Sequence, residues 1–297
     1  MKTTKFIVFA AVVLLLAACS KDNEGGNGIY RLFAENMSNA SAAKVLINPS
    51  DLSAEWLAGE TININNHVFY IESNGSGGYQ VNTGNTFTDG TLFAIYPGSS
   101  FGGNDVEVTH TGVGSGNTVV LKSLVLNFHD DKHDVVMPMA TTGITSSSTS
   151  ITFEHLTGGM KLTLHNASAS PVTLGSLKVV AQSSTAVNPL SHNGVTCRWA
   201  VQGPTTPSDT VGQEVGDVTV SYSSEMYFKM KTSDVANVTI AAGGTLSFCV
   251  PVTVSSLDII TVVGFDGSGA QLFSKSKAVS TSILRNKMYN IPTININ

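Results

Sequence analysis

Short apolar runs and strict two-residue alternations recur along the chain, bounded by Gly, Asn, Ser and Pro. That pattern predicts many short β-strands at spacings of roughly ten residues. Thr61-Ile62-Asn63-Ile64-Asn65 alternates polar and apolar positions, Asn65-Asn66 supplies a turn, and residues 67–71 run back, so 61–72 reads as a hairpin. Residues 91–96 read as a buried strand ended by Pro97-Gly98, and 118–128 as one long central strand. Met160, Leu162 and Leu164 share a face of a further strand. More strands are expected at 177–181, 194–201, 218–222, 226–230, 238–240, 245–252, 259–265 and 272–276, with 288–296 closing the chain. No stretch carries a helical period beyond about two turns, so the fold class is all-β.

Length turns this pattern into a domain count. At about 150 residues per domain, 297 residues suggest two. The Ser/Thr-rich stretch 141–150 is the natural boundary, giving units 29–147 and 148–297. Hydrophobic residues are 42% of the chain, enough for a core, which argues against disorder. A formal net charge of −5 leaves no electrostatic footprint for a nucleic-acid partner. After residue 18, no apolar run approaches the roughly 20 residues of a spanning helix.

The first segment has a different character. Lys2 and Lys5 precede an uninterrupted apolar run, 6–16, as in a secretory signal. Leu16-Ala17-Ala18-Cys19 resembles the bacterial lipobox, in which the Cys becomes the acylated N-terminus. Residues 1–18 are then a signal peptide, Cys19 carries acyl chains such as palmitate, and 19–28 form a flexible tether. Several acyl chains on one residue would hold the chain stably at the outer membrane. Cleavage removes two lysines, leaving 14 cations against 21 acids, about −7. The acidic cluster Ser20-Lys21-Asp22-Asn23-Glu24 resembles the surface-export signal of Bacteroidetes lipoproteins, so the expected location is the cell surface. Cys197 and Cys249 remain; an oxidising compartment would permit their pairing, but Cys249 sits in a strand-like run, and two free thiols are expected.

Candidate chemistry is sparse. His129-Asp130-Asp131-Lys132-His133-Asp134 is the densest polar cluster, but it lacks calcium-loop spacing and includes a lysine, so a solvated turn is expected and no metal. Gly98-Ser99-Ser100-Phe101-Gly102 spells a nucleophile elbow, yet Gly103-Asn104-Asp105 continues as loop where a helix should begin. Gly112-Val113-Gly114-Ser115-Gly116 precedes a strand, where a phosphate cradle would open a helix. No catalytic residue and no cofactor are assigned, and the chain is not expected to be an enzyme. Trp56 and Trp199 could stack on sugar rings, although core packing is the better expectation for Trp56.

Several segments in consistent order resemble the fimbrillin family of Bacteroidetes. They are Glu55-Trp56-Leu57-Ala58-Gly59-Glu60 with the alternating strand after it, Gly90-Thr91-Leu92-Phe93-Ala94-Ile95-Tyr96-Pro97, Asp134-Val135-Val136-Met137-Pro138-Met139-Ala140, Phe153-Glu154-His155-Leu156-Thr157-Gly158-Gly159-Met160, Asn188-Pro189-Leu190, and Leu284-Arg285-Asn286-Lys287-Met288-Tyr289. The resemblance implies two tandem β-sandwich domains of transthyretin-like topology. It also implies a fimbrial subunit that reaches the surface as a lipoprotein, loses an N-terminal strand to a protease cutting after a basic residue, and receives a strand from another fimbrial subunit. The candidate cutting positions are Arg31 and Lys44, between which the sequence does not choose. Ile291, Ile294 and Ile296 mark a C-terminal segment that could be a donor strand or the last strand of the second sandwich. The few residues after Tyr289, and Pro292 among them, favour an anchor or tip subunit over a stalk subunit. Host or bacterial surface ligands are further possible partners. The rival reading is a monomeric glycan-binding surface lipoprotein, which would show solvent-exposed aromatics on a shallow platform.

Overall fold

The structure, a computed structural model, describes residues 28–34, 46–50, 54–84, 87, 91–100, 106–109, 116–130, 132–145, 147–184, 190–192, 195–199, 222–233, 235–285 and 287–296. Every strand or helix among them is a β-strand. In chain order the first nine are β1 (Ile29–Ala34), β2 (Leu46–Ile47), β3 (Ala54–Glu55), β4 (Thr61–Ile64), β5 (His67–Tyr70), β6 (Glu72–Ser73), β7 (Tyr79–Asn82), β8 (Thr91–Tyr96) and β9 (Val106–Thr109). Next come β10 (Asn117–Leu121), β11 (Ser123–His129), β12 (Lys132–Asp134), β13 (Met139–Thr145), β14 (Ser150–His155), β15 (Gly158–His165), β16 (Val172–Leu174), β17 (Ser176–Ser183) and β18 (Leu190–His192). The last are β19 (Val195–Trp199), β20 (Tyr222–Thr232), β21 (Val235–Ala236), β22 (Val238–Ile240), β23 (Thr245–Val252), β24 (Ser256–Phe265), β25 (Gln271–Ser282), β26 (Met288–Asn290) and β27 (Ile294–Asn295).

These strands make an eight-stranded sheet, β5-β4-β8-β13-β14-β1-β7-β6, and a nine-stranded one, β25-β24-β17-β20-β11-β12-β2-β3 with β21 beside β20. A four-stranded sheet has β15 between β23 and the C-terminal strands β26 and β27. A second four-stranded sheet, β18-β19-β10-β9, and the pair β16-β22 complete the set. The all-β expectation holds, and stacked sheets around a shared apolar interior are the β-sandwich arrangement.

Local sequence explains much of the eight-stranded sheet. The β4–β5 hairpin turns at Asn65 and Asn66, whose φ angles of 47° and 70° are the two positive values a two-residue turn of this kind needs. Asn tolerates that region because its short polar side chain bonds locally; Asn63 Oδ1 accepts from Asn66 N at 2.8 Å. β5 and β6 are separated only by buried Ile71, so the two ends of the sheet meet in one chain segment. Under this sheet, Trp56 packs edge-on against Tyr96 and Phe153, with ring centroids 5.4 and 5.6 Å away. It is a core residue, as its burial preference leads one to expect.

Two features depart from the linear reading. The run 118–128 is not one strand. It breaks at Lys122 into β10 and β11, which pair with different neighbours, β9 and β19 on one side of the break and β12 and β20 on the other. The Ser/Thr-rich stretch 141–150 runs from the second half of β13 into the first residue of β14, and 147–149 belong to the turn between them, in which Ser148 N donates to Thr145 O at 3.0 Å and Thr145 N to Ser148 Oγ at 3.0 Å. Hydrogen-bonded ladders cross the line between 147 and 148. Within the nine-stranded sheet β11 runs parallel to β20 from Ser123↔Tyr227 to Phe128↔Thr232, and in the sheet β18-β19-β10-β9 β10 runs parallel to β19.

Exposed sheet edges invite pairing with other chains, and the chain protects two of them. Edge strand β25 points Lys275 and Lys277 along the same face as the fully buried Val262 and Ile260, and its register slips twice. Edge strand β23 carries Pro251, which has no N–H to offer, and two residues earlier the outward N–H of Cys249 donates to His133 Nε2 at 2.9 Å. His133 is fully buried and stacks on Phe128, so one side chain of β12 stands where a neighbouring strand would otherwise pair.

Candidate functional site

β1 is the first described strand, and it lies inside a sheet rather than at its rim. On one side it runs parallel to β14, pairing Arg31↔Ser150, Leu32↔Ile151, Phe33↔Thr152 and Ala34↔Phe153. On the other it runs antiparallel to β7, pairing Ile29↔Asn82, Tyr30↔Val81 and Arg31↔Gln80. Its alternation follows the period-two rule: Tyr30 and Leu32 are buried at 2% and 5% exposure, while Arg31 and Phe33 face solvent. Burial of each inward side chain contributes about 2 kcal/mol. The start of the strand is tied down where Gly28 O accepts from Thr83 N at 2.7 Å and Thr83 Oγ1 at 2.9 Å. Without β1, both β7 and β14 would present unpaired backbone to one groove, with two empty apolar sockets in its floor.

The two candidate cutting positions are unequal against this geometry. Arg31 is the middle of the strand, with neighbours on both sides, and its N–H donates to Thr149 O at 3.0 Å. A cut there would leave Leu32, Phe33 and Ala34 in the sheet. Lys44 and Cys19 lie outside the described residues; in sequence, a cut after Lys44 separates the whole of β1 from β2.

The C-terminal segment closes this chain's own four-stranded sheet. β26 and β27 both run parallel to β15, with Gly159↔Met288 and Leu164↔Ile294 in register. Ile291, Ile294 and Ile296 are buried at 7%, 3% and 4% exposure. Ile291 N donates to Lys161 O and Ile296 N to His165 O, each at 3.0 Å.

The remaining polar candidates have structural surroundings. His129 and Asp130 close the β11–β12 hairpin, with Asp130 at φ 50°. His129 Nε2 lies 3.3 Å from Asp134 Oδ2 and 2.8 Å from Asn127 Nδ2. Among the described residues no group of three or more His, Cys, Asp or Glu is arranged to hold a metal ion. Ser99 Oγ lies 3.3 Å from Thr61 Oγ1, and Ser100 Oγ accepts from Val108 N at 2.9 Å, so both serve the loop that follows β8. Cys197 and Cys249 are free and buried; burial pushes both thiols up, that of Cys249 to about 12, with Lys161 opposing weakly. Such thiols are packing groups rather than nucleophiles. The side chain of Trp199 and the segment 200–221 lie outside the described residues.

One feature that the linear reading did not single out is the outer face of β1. Phe33 is 53% exposed on an internal strand, beside Arg31. The β6–β7 turn, residues 74–78, rises next to them and is held by Asn74 Oδ1, which accepts from Ser76 N and Gly78 N at 2.9 and 3.0 Å. Together they bound an open groove of about 650 Å³. The alternation of β1 in the sequence was the available signal, since it puts Arg31 and Phe33 on one face.

The chain matches no protein-family model and no curated protein. Solved structures of three candidate cell adhesion proteins from Bacteroides are similar to it over most of their length. That from Bacteroides uniformis ATCC 8492 is 13% identical, covers 91% of this chain and 93% of its own, and has a TM-score of 0.35. The Bacteroides ovatus ATCC 8483 protein is 12% identical over 90% and 94%, at 0.32. The Bacteroides fragilis NCTC 9343 protein is 11% identical over 90% and 92%, at 0.37. The all-β assignment rests on the sheets of this chain itself.

Proposed function

We propose that the chain is a structural and adhesive subunit of a cell-surface fimbria, exported as a lipoprotein acylated at Cys19 and assembled by β-strand addition. The observation that carries this reading is the placement of β1. A short N-terminal strand with two apolar plugs, Tyr30 and Leu32, is held between β7 and β14 and is followed by a basic residue at Lys44. Its removal would create the kind of groove that an extended strand from another subunit fills, with backbone pairing on both sides and alternate side chains in sockets. Keeping the groove filled until assembly avoids an exposed sheet edge. The partners are other fimbrial subunits and, before processing, the outer membrane through the N-terminal lipid; no cofactor and no catalytic step is involved.

The geometry favours Lys44 over Arg31 as the cut. A ladder-bound residue in mid-strand is a poor protease substrate, and a cut after Arg31 would vacate only part of the groove. The C-terminal strand supports an anchor or tip role, because Ile291, Ile294 and Ile296 are occupied in this chain's own sheet. Lys44→Ala is expected to remove the chain from high-mass surface assemblies, read by gel mobility of unboiled sheared fractions. Arg31→Ala should leave them unchanged. Assemblies that persist in the double variant overturn the cleavage step.

A further inference from the structure

We infer that β1 serves as a noncovalent membrane anchor for the processed subunit. After the chain is cut behind Lys44, the body 45–297 stays on the acylated N-terminal segment through β1, and it leaves only when another strand displaces β1. This rests on the assembly reading above and adds to it what holds the cut subunit at the membrane and what releases it.

Hydrolysis of the Lys44–Val45 bond consumes one water and leaves a carboxylate on Lys44 and an amine on Val45. It breaks no described contact of β1. Among the described residues, only 28–34 lie on the acylated side of that cut, while both groove walls, β7 and β14, lie on the body. Lipid and body are therefore joined across the β1 groove. The hold there is two-sided: four register pairs run to β14 and three to β7, with Arg31 paired to both. Thr83 N and Oγ1 both donate to Gly28 O at the start of the strand. Tyr30 and Leu32 belong to the apolar core, at 2% and 5% exposure.

Unassisted departure has to break the pairing to both walls and bring two core side chains into water, so it is slow. An incoming strand changes that. It regains each backbone bond as β1 gives one up, and it refills the sockets if it carries apolar side chains two positions apart. The groove is then never empty. One event joins the subunit to its neighbour and frees it from the lipid, so a processed subunit without a partner remains at the membrane.

The test immobilises the full chain, from Ser20 onward, by an N-terminal tag. A recognition sequence for a specific protease is inserted between Ala43 and Lys44. Once a denaturing gel shows the cut complete, the body is expected to stay on the column. An excess of synthetic peptide of residues 28–34 should elute it, and the same peptide with serine in place of Tyr30 and Leu32 should not. In Leu32→Ala the body should wash off about tenfold faster or more, whereas Phe33→Ala, on the exposed face, should hold like the parent chain. A parent body that washes off as soon as it is cut overturns the inference. So does retention that Leu32→Ala leaves unchanged, or elution by the serine peptide. The assembly reading fails separately: a body held on the column, in a chain whose surface assemblies begin at Cys19, leaves the hold of β1 standing and strand exchange fallen. A body lost from the column, with assemblies that begin at Val45, does the reverse.

Discussion

Replacing Gly98 by alanine is expected to cost about 4 kcal/mol or more, the range reserved for a steric conflict that cannot relax. Gly98 follows β8 and lies directly on β4: its N–H donates to Thr61 O at 2.8 Å. A Cβ built there would stand 2.2 Å from Ile62 C and 2.6 Å from both Ile62 Cα and O. These are backbone atoms of a strand pinned on both sides by β5 and β8, so no side chain can swing away. Urea denaturation gives the comparison. Gly98→Ala should lose most of its midpoint, whereas Gly77→Ala, at φ 81° with open space around it, should lose about 1 kcal/mol from backbone strain alone. Equal midpoints for the two variants would contradict the close approach of the loop to β4.

Acid should weaken the fold through His133. Its ring is fully buried, and Nε2 accepts the Cys249 N–H, which places the remaining proton on Nδ1. Nδ1 has no hydrogen-bond partner. Burial lowers the pKa from 6.5 to about 4, with the nearby Cys249 carbonyl opposing in part. Because the folded value is the lower one, the stability tied to the neutral ring is complete above pH 6.5. It declines as pH falls and is lost below about 4, a total of about 3 kcal/mol. His133→Gln can still accept from Cys249 without titrating. The stability difference between the two proteins should therefore shift by about 3 kcal/mol between pH 7 and pH 4, in favour of the variant at the acid end. A difference that stays constant over that interval would show that the ring is not held neutral by burial. Carboxylates that titrate lower, such as Asp258 bonded by Ser184, are common to both proteins and cancel.

How much was legible in the sequence follows from which signals are local. The β4–β5 hairpin was readable because alternation and the Asn65-Asn66 turn act over a few residues. The division of 117–129 into two strands has a faint local trace. Buried apolar positions fall on odd numbers at Val119 and Leu121, then on even numbers at Leu124, Leu126 and Phe128. In a continuous apolar run that slip of phase is hidden by Val120, which is also buried. The Ser/Thr-rich 141–150 reads as a boundary because hairpin turns and linkers draw on the same small polar residues; within it, 147–149 lie in the turn between β13 and β14.

The central placement of β1 had no local signal at all. Its neighbours β7 and β14 lie about 50 and 120 residues away in sequence, and pairing across such separations is set by the whole fold. A six-residue strand with this sequence reads identically as a rim strand or an internal one. The same holds for His133, whose neighbourhood looked like a solvated turn from sequence. His129 and Asp130 do form that turn, but two residues after Asp131 the chain has re-entered a sheet and the imidazole points into the core.

The central claim is that β1 is a placeholder, removed when the chain joins an assembly. The direct measurement is the N-terminal residue of the chain in sheared, high-mass surface material, determined by mass spectrometry beside the membrane fraction of the same cells. The account predicts Val45 as the first residue of the assembled form and acylated Cys19 as the first residue of the membrane-held precursor. Assembled material that begins at acylated Cys19, with β1 still present, would contradict it.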